Sequence, residues 1–115
     1  MLIDRRSGFD RRNVDRFRVN INAEWKGLGS RNPGVINDIS TKGCFVACSG
    51  EIENGNKIEV FLVLKNGVKL PFSGEVVNNV FEIGFGLKFL DLKEEQKGFL
   101  QRLVNTLQKK NKASA

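Results

Sequence analysis

Phe81-Glu82-Ile83-Gly84-Phe85-Gly86-Leu87-Lys88-Phe89 is the clearest alternation in the chain. Successive side chains of a strand leave on opposite faces, so Phe81, Ile83, Phe85, Leu87 and Phe89 share one side and Glu82, Gly84, Gly86 and Lys88 the other. Five large side chains on one face need a curved sheet closed around them, and Gly84 and Gly86 permit the coiling that closure demands. The same period of two recurs upstream. From Phe17, residues Val19, Ile21, Ala23 and Trp25 face one way and Arg18, Asn20, Asn22, Glu24 and Lys26 the other, and Ile58, Val60, Leu62 and Leu64 repeat the pattern. Asn66-Gly67 is the preferred dipeptide of a two-residue type I′ hairpin, which predicts a returning strand with Val68, Leu70, Phe72, Gly74 and Val76 on one face. Pro71 denies that strand one ladder donor, which suits an edge, a bulge or a barrel rim.

Residues 35–39 and 44–48 read as two further short strands, residues 27–34 as a loop on turn chemistry, and Asn78-Asn79 as a second tight turn. Six strands with hairpin signals and no crossover helices predict an all-β fold, a six-stranded antiparallel barrel. The last segment changes to a helical period. Leu92, Gln96, Phe99, Leu100, Leu103 and Leu107 form a stripe, and Asp91 with Glu94 suggests a capping box at its start. Gly98 costs this helix ~1 kcal/mol relative to alanine, so the helix depends on docking and should cover the barrel as a C-terminal α-helix.

The 115 residues, 40% hydrophobic and 28% charged, suit one globular domain. No apolar run approaches the ~20 residues that span a bilayer, and the first residues lack the apolar core of a secretion signal, so a cytoplasmic protein without membrane insertion is expected. A net charge of +6 favours an anionic partner. Positive charge gathers at the ends, with six Arg against three Asp in residues 1–18, and Lys109, Lys110 and Lys112 near the other terminus. Cys44 and Cys48 would lie ~13 Å apart in an extended strand, beyond disulfide reach, and read as small core residues. With no His and no second cysteine pair, structural zinc has no support, and no metal is expected.

Two segments carry binding chemistry. In Ile36-Asn37-Asp38-Ile39-Ser40-Thr41-Lys42-Gly43 the Asp38 and Ser40 side chains, two apart, are expected on one face, with Gly43 letting the backbone turn beside them. A carboxylate and a hydroxyl suit a planar, N–H-rich group. In Arg11-Arg12-Asn13-Val14-Asp15-Arg16 the guanidiniums offer fixed forks for phosphate or for an O6/N7 base edge. One guanine nucleotide would use both segments. Asp38 and Ser40 could equally cap nearby backbone N–H groups, and Gly43 serves geometry more than contact.

Arg12-x-x-x-Arg16, followed 22 residues after Arg16 by Asp38-x-Ser40-x-x-Gly43, resembles the two-part signature of the PilZ domain, the bacterial receptor module for cyclic di-GMP. The resemblance runs from about Arg11 to Leu107 and includes the family-like run from Ile83 to Leu92. It implies a barrel domain with binding arm and helix over 11–107, and aperiodicity and charge set off a flexible leader over residues 1–10 and a basic tail over 108–115. It also implies that Arg12 and Arg16 bind ligand phosphate and guanine while Asp38, Ser40 and Gly43 face a base on the barrel wall. Arg11, directly before the first matched arginine, implies capture of two stacked cyclic di-GMP molecules at one site. The expected function is a non-catalytic receptor that relays the signal through its ordered N-terminal arm to a protein partner.

Catalysis has no comparable support: His and Tyr are absent, no glycine-rich phosphate loop appears, and Glu51 with Glu53 flank an ordinary turn. Two alternatives stand beside the receptor. One is a small basic barrel binding single-stranded nucleic acid, with Trp25 and surface Phe residues as stacking candidates, although most aromatics fall on apolar faces and DNA or RNA is not the expected partner. The other is a PilZ-like interaction module whose ligand pocket is inactive.

Overall fold

Alternating burial along Phe17–Gly27 makes β1 a wall with Phe17, Ala23 and Trp25 turned inward. The computed structural model describes residues 16–27, 29–50 and 52–114. Five further strands follow: β2 (Ser30–Ile39), β3 (Gly43–Ala47), β4 (Lys57–Val63), β5 (Lys69–Val80) and β6 (Gly84–Phe89). They form a closed antiparallel barrel in the order β1-β2-β3-β6-β5-β4, with β4 pairing back onto β1. Helix α1 (Glu94–Ser114) follows. The expected six-stranded barrel with one C-terminal helix is the fold observed. Among the described residues no helix is long and apolar enough to cross a membrane.

Several local expectations are corrected. Residues 30–34, read as loop, are strand: Ser30, Arg31 and Asn32 pair with Gly27, Lys26 and Trp25. Gly29, at φ 81, supports the tight turn, and Asn32 Nδ2 lies within hydrogen-bond distance of the Gly27 and Ser30 carbonyls at 3.3 and 3.2 Å. This stretch runs past the end of β3, so Pro33 has no second strand to which it owes an N–H. At Asn66-Gly67 only Gly67 has positive φ, at 88°. The β4–β5 turn is therefore not type I′: Gly67 N donates to Leu64 O and Leu64 N to Val68 O, closing a three-residue loop.

Asn78 and Asn79 do not turn but continue β5 opposite Gly86 and Phe85. The turn comes at Phe81–Ile83, with Glu82 at φ 61. The five-residue apolar face is thus cut to three, because Phe81 and Ile83 sit on that turn, 64% and 58% exposed, while Phe85, Leu87 and Phe89 are buried. The helix cap also moves. Lys93 occupies the N-cap, its N–H donating to Gln96 Oε1 at 2.7 Å, and Gln96 Nε2 donates to the Pro71 carbonyl at 2.6 Å. Pro71 therefore lies at the rim, beyond the reach of β6, as its chemistry suggested.

The interior is filled by Trp25, Phe72, Phe85, Ile36, Ile39 and Leu62, all fully buried. Trp25 meets Phe85 edge-on, with centroids 5.4 Å apart. Gly27, Gly34 and Gly50 enclose the indole, and a Cβ on Gly50 would stand 2.6 Å from it. Among the described residues the indole N–H has no hydrogen-bond partner within ordinary geometry, although it lies close enough to the part-buried Cys48 to oppose the upward push of burial on that thiol. Leu100 and Val104 of α1 are buried, and Phe99 packs on Phe72 with centroids 6.2 Å apart. Val104 joins the expected stripe. Cys44 and Cys48 are both free, Cys44 inside the core.

Candidate ligand-binding site

Ile36 is fully buried, and strict alternation along β2 would carry Asp38 into the core with it. Instead Ile39 is the next fully buried side chain, three residues on, and Asp38 keeps 31% of its side chain exposed. The register slips at Asn37 on both edges of the strand. Toward β3 the pairs Ile36↔Val46 and Asp38↔Phe45 leave Asn37 unopposed. Toward β1 the pairs Ile36↔Ile21 and Asp38↔Arg18 set Val19 and Asn20 against the single Asn37. Such bulges reverse which face a strand presents. Asp38 therefore stands on the outer wall, with Arg18 and Phe45 as its cross-strand neighbours.

Arg16, at the foot of β1, places Nη1 3.4 Å from Asp38 Oδ1. More than half of its side chain is exposed, so the pair contributes only ~0–1 kcal/mol, and its members can exchange partners readily. Arg18 was visible in the sequence only as one of several outward polar residues; its place opposite Asp38 depends on a register that no local pattern encodes. Arg11 and Arg12 lie outside the described residues.

Ser40 does not share the Asp38 face. The chain leaves β2 at Ile39, and Ser40, 2% exposed, turns into the bend that follows. Its Oγ accepts from Lys42 N at 3.0 Å and Gly43 N at 3.2 Å, while Ser40 N donates to Gly43 O at 2.8 Å. The capping role expected as an alternative is the geometry found. A Cβ on Gly43 would overlap the Leu87 carbonyl oxygen, so the glycine allows β3 and β6 to approach. The turn is tied onward, because Phe89 N donates to Lys42 O at 2.9 Å. Thr41 and Lys42 form one side of a cleft of about 510 Å³ whose other side includes Lys97 and Leu100 of α1.

Behind Asp38, burial pushes the Cys44 thiol up to about 12, with the Asp38 carboxylate adding to the shift, so this sulfur is neutral at ordinary pH. Among the described residues no group of three or more His, Cys, Asp or Glu could hold a metal ion. The wall offers an acceptor, cations and an aromatic ring, which is equipment for binding an anionic, planar ligand.

Comparison with known proteins places this barrel. The PilZ domain model matches residues 10–106, and the chain belongs to that family. The PilZ domain with c-di-GMP of YcgR from Escherichia coli is similar in structure, with TM-score 0.72 and 14% identity over 91% of this chain and 97% of that one. YcgR in complex with c-di-GMP, also from Escherichia coli, superposes with TM-score 0.74 and 15% identity over 90% of this chain, which spans 49% of that longer chain. The PilZ domain of CeSA from a cellulose-synthesizing bacterium gives TM-score 0.63 and 20% identity over 82% of this chain and 98% of that one. At these identities the likeness is one of fold. No curated protein gives a significant sequence match.

Proposed function

We propose that this chain is a non-catalytic receptor for cyclic di-GMP, held on the outer barrel wall at Asp38. The observation that carries the proposal is the Arg16–Asp38 pair, brought to the surface by the double register slip at Asn37. Asp38 accepts from the N1 and N2 donors of a guanine, while Arg16 and Arg18 lie within reach of its O6/N7 edge or of a ligand phosphate. Membership of the PilZ family and the c-di-GMP named in the YcgR structures support this reading. Ser40 and Gly43 contribute by fixing the turn that ends β2.

Arg11 and Arg12 add forks from the segment before Arg16. With three guanidiniums between residues 11 and 16, the site takes two stacked ligand molecules, the extra cation of Arg11 offsetting the repulsion among their phosphates. Binding draws these arginines against the wall and alters the surface offered to a protein partner. The Ser40–Gly43 turn is a second route for the signal, since it is bonded to Phe89 and borders the cleft under α1.

Calorimetric titration of the purified protein with cyclic di-GMP tests the receptor. Arg16→Ala and Asp38→Ala should each weaken binding more than tenfold, over ~1.4 kcal/mol, with little change in melting. Absence of binding at tens of micromolar ligand in moderate salt would refute the proposal. The nucleic-acid alternative loses its main stacking candidate, because Trp25 is fully buried. A parallel titration with single-stranded DNA should show only weak binding that declines steeply with salt.

A further inference from the structure

We infer that Phe45 is the floor on which a guanine of the ligand lies while Asp38 reads its edge, an inference that rests on the cyclic di-GMP reading above. Cys44 and Val46 are fully buried, so Phe45 between them points outward, and it remains half-buried there. Without the slip at Asn37, Asp38 would fall opposite Cys44 on the inside; with it, Asp38 falls opposite Phe45 on the outside. The two slips thus bring an acid and an aromatic ring side by side on one surface, ~4.5–5.5 Å apart at Cβ as direct cross-strand neighbours are.

The row continues Arg18↔Asp38↔Phe45↔Gly86↔Asn78 across five strands. Gly86 raises no side chain beside the ring. Phe45 also leans toward Gly84, where a Cβ would come within 2.8 Å of its Cε2, so bare backbone supports one flank of the ring. Asn78 and Val77 close the far side, Val77 being 46% exposed. The result is a shelf with a cation and a carboxylate at one edge, an aromatic floor and a low glycine margin.

A carboxylate that accepts from N1–H and N2–H₂ fixes one edge of a guanine but leaves its plane free to swing. A ring beside that carboxylate removes the freedom and shields the hydrogen bonds from water, which is how aromatic side chains hold bases elsewhere. Covering Gly84 alone would need only an apolar side chain of similar size. Leucine at this position therefore separates the two roles.

Calorimetry with cyclic di-GMP on the parent, Phe45→Leu and Phe45→Trp tests the inference. Phe45→Leu should bind about tenfold more weakly, with the melting midpoint of the free protein close to the parent's. Phe45→Trp, which restores a π face, should bind within about threefold of the parent. Its added indole should be quenched as ligand saturates the site, while the emission of fully buried Trp25 in the parent stays constant. Parental affinity in Phe45→Leu, or an unquenched indole in ligand-saturated Phe45→Trp, overturns the inference and leaves the receptor standing. Failure of the parent itself to bind overturns both. If Phe45→Leu melts well below the parent, the quenching of Phe45→Trp decides.

Discussion

Ser40→Ala distinguishes a residue that builds the site from one that touches the ligand. The hydroxyl is 2% exposed at the residue level and accepts from two backbone N–H groups, those of Lys42 at 3.0 Å and Gly43 at 3.2 Å. Alanine leaves both without that acceptor. Gly43 N is buried, and an unpaired buried N–H costs ~1–3 kcal/mol; Lys42 is exposed enough for water to replace part of its loss. The Gly43 carbonyl keeps its bond from Ser40 N at 2.8 Å, so the lost donation from Oγ matters little. The expected loss is about 2 kcal/mol of unfolding free energy, or roughly 6–12 °C in melting midpoint. Urea titration followed by Trp25 emission reads the first, a thermal melt the second, and calorimetry with cyclic di-GMP reads binding. The contrast is Asp38→Ala, which removes an exposed ion pair and should change stability by less than ~1 kcal/mol while abolishing most binding. If Ser40→Ala unfolds within ~0.5 kcal/mol of the parent and yet binds more than tenfold weaker, the turn-building account is refuted and Ser40 is a ligand contact.

Phe85→Ala, which removes a fully buried ring packed edge-on against Trp25, should cost ~3–5 kcal/mol, seen as a lower urea midpoint at unchanged slope. Gly98→Ala should stabilise the protein by about 0.5–1 kcal/mol in the same assay, because the nearest side-chain atom to the new Cβ among the described residues is Arg102 Nη1 at 3.3 Å, the far end of a side chain that can swing aside. Cys44 should impose a pH dependence. Its folded-state pKa of about 12 lies above the ~8.5 of an unfolded thiol, so its contribution is intact below pH ~8.5 and is lost as pH rises toward about 12. The stability difference between the parent and Cys44→Ala should therefore shrink between pH ~8.5 and ~10.5. Arg11→Leu should shift calorimetric stoichiometry from two ligands per chain toward one; a parent stoichiometry of one across a wide ligand range would refute the stacked pair.

Strands whose burial follows a strict period of two were readable from residue order, and Ala23–Trp25, Ile58–Leu62 and Phe85–Phe89 lie where alternation placed them. Turns were read less well, because the same residues serve turns and strand irregularities. Gly27 to Gly34 has the composition of a loop, yet the pairing of Lys26 with Arg31 and Trp25 with Asn32 offsets the poor local propensity. Asn78-Asn79 has turn chemistry but lies just beyond the slip between Val76 and Asn78, and Asn79 N donates to Asn54 Oδ1 at 2.9 Å. At the candidate site, the spacing of Arg16, Asp38, Ser40 and Gly43 named residues that the fold brings into one region, but not that Ser40 and Gly43 build the turn while Asp38 stands on the outer wall. That Arg18 and Phe45 flank Asp38 was not legible, because this neighbourhood arises from pairing between strands.

The slip at Asn37 gives this part of the chain something like a reading frame. Asn37 is the extra residue of that frame, left unopposed on the β3 side. Deleting Asn37 would remove the slip but not the sidedness, because even alternation from Ile36 then leaves Asp38 outward and Ile39 inward, as they are now. Straightening the strand with Asn37 kept would instead turn Asp38 inward, where its carboxylate would face desolvation without the Arg16 guanidinium that now meets it. Aligning distant relatives across this segment therefore requires knowing whether the bulge is present as well as matching letters, since a relative one residue shorter before the acid, with a regular strand, presents that acid on the same face.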